Sequence, residues 1–374
     1  MKKLFSVLLF IVLVVGLILS GCAAPAPAPA PTPAPAPAPA PALSAAPASV
    51  IDVFCHIMPP KYMEALKAQF PKDYFFNVMF DIFPLLYDVD ARLKDTDIPG
   101  YKQVISVVHP PEAVADPQKA AELAKLANDG MAELVKQYPD RFIGALGCLP
   151  MNNMEAALKE ADRCINELGF KGIQIHTPIN NKPLDSPEFI PLYEKMAKYD
   201  LPIFIHPWRA PDYPDYTTET TSKFLAFLTW DWDYEETLAM HRLALSGILE
   251  KYPDLKFVVH HGGSMIPFFN SRIPNAGQPG LFTLGDPKIY AELSKPTVFY
   301  FKKFYADVSS MPGPAIIEIP TQFYGADHML FATDYPFPGS RPGPIIDNVR
   351  GMRISDADKT KIFETNAKKL LKLP

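Results

Sequence analysis

Eight short apolar runs recur along the chain, separated by longer amphipathic stretches. They are SVIDVFCH, KQVISVVH, RFIGALGCL, KGIQIH, LPIFIH, LKFVVHH, FYADVSS and HMLFATD. The stretches between them, such as PQKAAELAKLANDGMAELVKQYPD and NMEAALKEADRCINELG, carry apolar residues at helical spacing. Strands that alternate with helices call for parallel βαβ units. Eight such units close into an α/β (β/α)8 TIM barrel. The competing architecture, an open doubly wound sheet, would want a glycine-rich phosphate turn after its first strand, and the sequence has none there.

The residues that end these runs point to chemistry. His56, His109, His176, His206, the pair His260/His261 and Asp334 fall at or near C-terminal strand ends. In a barrel those ends share one face, where active sites are built. One histidine at a strand end is more commonly a satisfied structural group. Six of the eight histidines falling there is more than packing accounts for. His241 lies within a helical pattern and His328 at a strand start, so neither belongs to the set. Imidazoles with a carboxylate suit a borderline cation such as zinc, which catalytic sites hold with three protein ligands and an open position. His56, His206 and Asp334 supply three metal ligands. Asp334 and His261 remain available for catalysis, with His261 as general acid or base.

The first strand poses a problem. Residues two apart on a strand face the same way, and many metal hydrolases place two histidines at that spacing. Here Phe54 stands beside His56. Cys55 has the wrong parity to replace a ligand. Asp52 has the right parity but lies about 7 Å deeper, which suits a buried structural carboxylate. The expectation is a site with three protein ligands, walled on one side by Phe54.

Not all of the 374 residues enter the barrel. Lys2 and Lys3 precede an apolar run that ends in LSGC, which has the layout of a signal peptide over residues 1–21. LSGC resembles the bacterial lipobox, which makes Cys22 the lipidated residue of an extracytoplasmic, membrane-anchored lipoprotein. Residues 22–48 are almost wholly an Ala-Pro tether, which favours polyproline II and builds no core. The folded domain is expected over 49–374. Cys55, Cys148 and Cys164 show no metal or disulfide spacing and read as buried apolar groups. A net charge of −5 with no basic run outside Lys2-Lys3 makes nucleic acid a poor partner.

IDVFCHIMP, GFKGIQIHTPIN, LPIFIHPW, ILEKYPDLKFVVHHGG and FATDYPFP, in this order, resemble the amidohydrolase-related proteins typified by aminocarboxymuconate-semialdehyde decarboxylase, a group that also holds the γ-resorcylate-type decarboxylases. The resemblance spans residues 50–372. It implies a TIM barrel of the metal-dependent hydrolase type with loop insertions, carrying a divalent metal, zinc first and manganese as the alternative. It places the strand-1 ligand pair on Phe54 and His56, further ligands on His206 and Asp334, and the catalytic histidine on His261. His260 is then expected to face away from the barrel axis. The resemblance also implies substrate-binding roles for Arg92 and for Arg272, the latter across a homodimer interface. Arg209 departs from the acidic residue of the decarboxylase and, with His176, is expected to give the pocket different polar contacts. The leading expectation is a non-oxidative carboxy-lyase for a small carboxylated aromatic or enol-type acid. Hydrolysis of a C–C, ester or thioester bond is the alternative, and an inactive lipid-anchored binding protein is the third.

Overall fold

Parallel pairing runs unbroken around most of a barrel in the computed structural model, which describes residues 43–45, 47–273 and 293–374. The signal-peptide segment, Cys22 and all but the last few tether residues lie outside the described residues. The strands are β1 (Val50–His56), β2 (Tyr101–Ser106), β3 (Phe142–Ala145), β4 (Gly147–Cys148), β5 (Ile173–Thr177), β6 (Ile203–Pro207), β7 (Phe257–Val259), β8 (Tyr305–Asp307) and β9 (Met329–Leu330). They pair in the orders β1-β2-β3 and β4-β5-β6-β7-β8-β9. The segment RFIGALGCL is one barrel strand broken at Leu146, with β3 on β2 and β4 on β5. The ring closes between β1 and the segment after β9. Val53 N donates to Phe331 O (3.1 Å), Asp334 N to Phe54 O (2.8 Å) and His56 N to Tyr335 O (2.7 Å). The eight barrel strands expected from the sequence are therefore present as nine segments.

Alternation along the strands sorts the side chains. Phe54, Val104, Leu146, Phe204, Val258 and Leu330 form one buried apolar cluster. One step further along, the strands present His56, His176, His206, His260 and Asp307, all buried. The register sets His176 directly beside His206 on neighbouring strands. On the outer face Ile173, Ile175, Ile203, Ile205 and Val259 pack with helix residues such as Leu192, Met196, Met240 and Leu243 in a second cluster.

Some of the helices start where the sequence supplies a side-chain cap. In α1 (Pro117–Gln137) Pro117 opens the first turn, and the Asp116 carboxylate accepts from the Gln118 and Lys119 amides at 2.8 and 3.2 Å. In α2 (Met154–Asn166) the Asn153 side chain accepts from Ala156 N. Docking begins earlier than the expected boundary at 49. Ser44 O accepts from Arg350 Nε at 2.8 Å, so the last tether residues already lie on the domain. Cys55, Cys148 and Cys164 are buried free thiols, as expected.

Candidate active site

His56 is wholly buried, with Nε2 3.1 Å from Asp334 Oδ1 and Nδ1 3.4 Å from Ser106 Oγ. Its ring lies 5.0 Å from that of His206. His206 Nδ1 donates to the Pro207 carbonyl at 2.6 Å, which leaves the Nε2 lone pair free. Burial, reinforced by His176, His56 and His260, holds His206 well below the ordinary imidazole range and hence neutral. Asp334 sits in the left-handed region (φ 64°), as does His261 (φ 52°). For residues with a Cβ that costs on the order of 1 kcal/mol each, and such geometry concentrates at functional sites.

Strand β7 stops at Val259, and the HGG turn that follows re-aims its histidines. Gly262 adopts φ 67°, and a Cβ there would fall 2.6 Å from Met311 Sδ. His261 turns its Nδ1 to within 3.5 Å of Asp233 Oδ1, on α3 (Trp232–Leu245). Burial alone would lower its pKa, but Asp233, Glu236 and Asp334 outweigh that and push it up to about 10. Its Nδ1 thus faces a carboxylate that favours the protonated ring.

One expectation is corrected here. His260 does not face away from the axis. Its ring stacks on Phe54 (centroids 3.4 Å apart, planes 14° apart), and its Nδ1 lies 2.6 Å from Asp307 Oδ2. Arg92, expected to bind substrate, packs against the strand that carries His56. It is fully buried, with Nε donating to Gln103 Oε1 at 2.9 Å and Nη1 to the His56 carbonyl at 2.5 Å, and it lies over the Tyr335 ring. From there it braces the backbone of the strand that carries His56. Arg272 is not brought to the centre within one chain. It is exposed and lines a separate apolar groove with Tyr234, His241, Met265 and Phe269.

Phe54 walls the site as expected. Its ring lies 4.5 Å from His56 and 5.4 Å from His206 as well as on His260. Asp52 is the structural carboxylate below it, accepting from Thr333 Oγ1 (2.5 Å), Phe54 N (3.1 Å), Thr333 N (3.2 Å) and Tyr101 Oη. His176 and Arg209 line a cavity of about 280 Å³ at the strand ends, together with Trp208, Tyr213 and Glu112. His109 packs among Phe76, Phe80 and Trp208 instead.

Sequence reading passed over Glu112, Asp233, Asp307 and Glu236, which accepts from His260 N and Ser264 Oγ. A carboxylate three residues beyond His109 and the acidic run DWDYEE were the available signals.

Residues 95–373 match the sequence model of the family described as Amidohydrolase. The chain belongs to the amidohydrolase family. The 2-amino-3-carboxymuconate-6-semialdehyde decarboxylase of Dictyostelium discoideum is 32% identical over 305 residues, 77% of each chain. The gamma-resorcylate decarboxylase of Rhizobium sp. (strain MTP-10005) is 29% identical over 334 residues, 85% of this chain and 96% of that one. Among solved structures, a dihydroxybenzoic acid decarboxylase from Polaromonas sp. JS666, with bound manganese and the inhibitor 2-nitroresorcinol, is similar with a TM-score of 0.71. It is 28% identical, covering 87% of this chain and 97% of that one.

The donor chemistry of this amidohydrolase suits a cation. Two ligands bound to one metal at about 2.0–2.2 Å stand roughly 3 Å apart, and the His56–Asp334 separation of 3.1 Å matches that. The free Nε2 of His206 is the form a ligand needs. Among the described residues, however, no three His, Cys, Asp or Glu side chains already converge as a metal cage. The Phe54 ring stands among the imidazoles instead.

Proposed function

We propose that this amidohydrolase is a metal-dependent carboxy-lyase that removes CO2 from an aromatic acid. The observation that carries the reading is the placement of His261, which turns Nδ1 to the Asp233 carboxylate and lies near enough to Asp334 to feel its charge. Non-oxidative decarboxylation needs a proton donor at the carbon that loses CO2, whereas hydrolysis at a metal-bound water calls first for a base. The relatives, decarboxylases of aminocarboxymuconate semialdehyde and of gamma-resorcylate, support the same choice.

His56, His206 and Asp334 would hold the cation, which would supply positive charge for the substrate's carboxylate and adjacent oxygen. Zinc is the ion expected from two imidazoles and a carboxylate, and manganese is the ion bound in the Polaromonas relative. His261 Nε2 delivers its proton to the ring carbon that bears the carboxylate. The C–C bond then breaks, its electron pair returns to the ring, and CO2 leaves. Asp233 holds the imidazolium in place, and Phe54 closes the floor against water.

Two further features belong to this proposal. Phe224, Leu225 and Trp230 are more than half exposed on one segment, and Phe269 is equally exposed in the groove that Arg272 lines; a second copy of the chain would cover such apolar surface. Sedimentation should then give a homodimer that Trp230→Asp weakens. Cys22 would anchor the chain to an extracytoplasmic membrane face, and Cys22→Ser should release it from the membrane fraction. For the reaction itself, metal content and CO2 release should be measured on the full chain with a panel of hydroxybenzoates. Near-stoichiometric metal that is lost in His206→Ala, with CO2 formed one for one with product, is the expected result. Metal-free protein, or a product formed without CO2, would overturn the reading.

A further inference from the structure

The end of the barrel opposite the reaction centre, where the strands begin, has its own character. The C-terminal segment closes it: Ala367, Leu370, Leu371 and Leu373 join the buried cluster that holds Ile51 and Val104. The chain toward Cys22 leaves from the same end. Ser44 is clasped by Arg350, and Ser44, Pro47 and Ser49 line a groove with Lys359 and Phe363.

Charge is spread unevenly between the two ends. The whole chain carries 36 lysines and arginines against 41 aspartates and glutamates. At the strand-entry end the sign reverses. The loops that enter the strands (97–102, 139–141, 167–171, 198–200, 250–256, 302–305 and 326–328) and residues 361–374 together hold twelve cationic side chains and eight carboxylates. Asp200 is shared by Lys256 and Lys372, and Lys361 pairs with Asp327. Lys102, Lys171, Lys302, Lys303 and Lys369 have no ion-pair partner among the described residues. Lysines in a last helical turn answer the helix dipole, which accounts for Lys369. Lys102 lies in β2 and Lys171 just before β5, so helix capping does not account for these two. The opposite end carries the acidic run Asp231, Asp233 and Glu235 beside the centre.

We propose that the strand-entry end is a membrane-facing surface whose lysines meet the phosphates of anionic phospholipid headgroups, so that the anchored barrel turns its active-site mouth away from the bilayer. The inference goes beyond the carboxy-lyase reading and takes from the proposed function only the Cys22 anchor. Two observations choose this partner. The anchored chain leaves the barrel from this face, and a surplus of lysines is attracted to an anionic leaflet. A lipid chain and a basic surface act as two signals that together hold a protein on a membrane. In this orientation the acidic end and the reaction centre face the solvent from which a small acid would enter.

Residues 41–374 form one compact unit with its own buried clusters, so the test uses this domain without the anchor. Its flotation is measured with vesicles of phosphatidylcholine alone and with about one-third phosphatidylglycerol. The domain should partition at least about 10-fold more strongly onto the anionic vesicles, and salt of about 0.3 M should abolish the difference. Lys302 and Lys369 are exposed and lie far from the reaction centre. The double variant Lys302→Glu/Lys369→Glu should lose most of the preference, about 5-fold or more. Lys125→Glu/Lys159→Glu makes the same charge change on the flanks of α1 and α2, and it should alter the preference by less than about 3-fold. As surface substitutions, both pairs should leave melting nearly unchanged, which confirms that the variants fold. The inference is overturned if the domain shows no preference for anionic vesicles, or if the two double variants weaken binding equally. Fractionation of Cys22→Ser tests the anchor separately: vesicle binding through this face with no effect of Cys22→Ser would refute the anchor and keep the surface.

Discussion

Substituting histidine for Phe54 tests the unusual feature of the site. The phenyl ring is 1% exposed and stacked on His260, 4.5 Å from His56. An imidazole keeps the stack but places a polar ring in a dry position, at a cost of about 2–3 kcal/mol to the metal-free protein. It also adds a donor where the centre has none. A further supporting group tightens metal binding about 10–100-fold, or roughly 1.4–2.7 kcal/mol. With free metal well above both dissociation constants, that gain appears in full as added stability. Urea unfolding with and without manganese, alongside competition against a chelator, reads both quantities. The Phe54→His chain should be clearly weaker than native without metal and nearly level with it when loaded. Turnover should fall, since the imidazole crowds the floor on which the substrate rests. If manganese stabilises the variant no more than the native chain, residue 54 does not face the metal position and the account of the centre is wrong.

Other perturbations separate the remaining roles. Arg92→Lys should lower stability by about 2–3 kcal/mol through lost bonds to Gln103 and the His56 carbonyl, with KM changed less than about two-fold; a large rise in KM in a stable protein would return Arg92 to the substrate. Asp233→Asn should cut kcat by about 10–100-fold and move the basic limb of its pH profile to lower pH, because the carboxylate that keeps His261 protonated is gone; an unmoved limb would contradict the general-acid role. Glu112 and Asp52 have folded pKa values raised to about 8 and about 7. Between about pH 4 and 8 the folded chain therefore binds more protons than the unfolded one. Their contribution to stability is full below the unfolded pKa values and is lost as pH rises through 7–8, with a slope of up to about 1.4 kcal/mol per pH unit for each group. Urea midpoints from pH 5 to 9 should show that decline, and Glu112→Leu should flatten its upper part; an unchanged slope would show that Glu112 is ionised when folded.

The barrel was legible because its signal is local and periodic: apolar runs of strand length, amphipathic helices between them, and polar residues at strand ends. His56, His206 and Asp334 were found by that pattern, and Phe54 by simple parity. Parity then misled at His260. The strand ends at Val259, and the left-handed backbone of His261 lets two successive histidines both serve the interior. Arg92 and Arg272 could not be placed from sequence, because where a long side chain goes depends on which elements pack over it. Glu112 lies in a short turn with no periodicity, and its burial is visible only in the three-dimensional arrangement.

The central claim is proton delivery to carbon at a metal-dependent centre. Turnover of 2,6-dihydroxybenzoate by the manganese-loaded chain in D2O, followed by NMR of the product, tests it most directly. The account predicts one deuterium at the carbon that carried the carboxylate, one CO2 per product, and loss of both in His261→Ala. A product that retains its carboxyl carbon, or carries a solvent hydroxyl at the cleaved position, would contradict it.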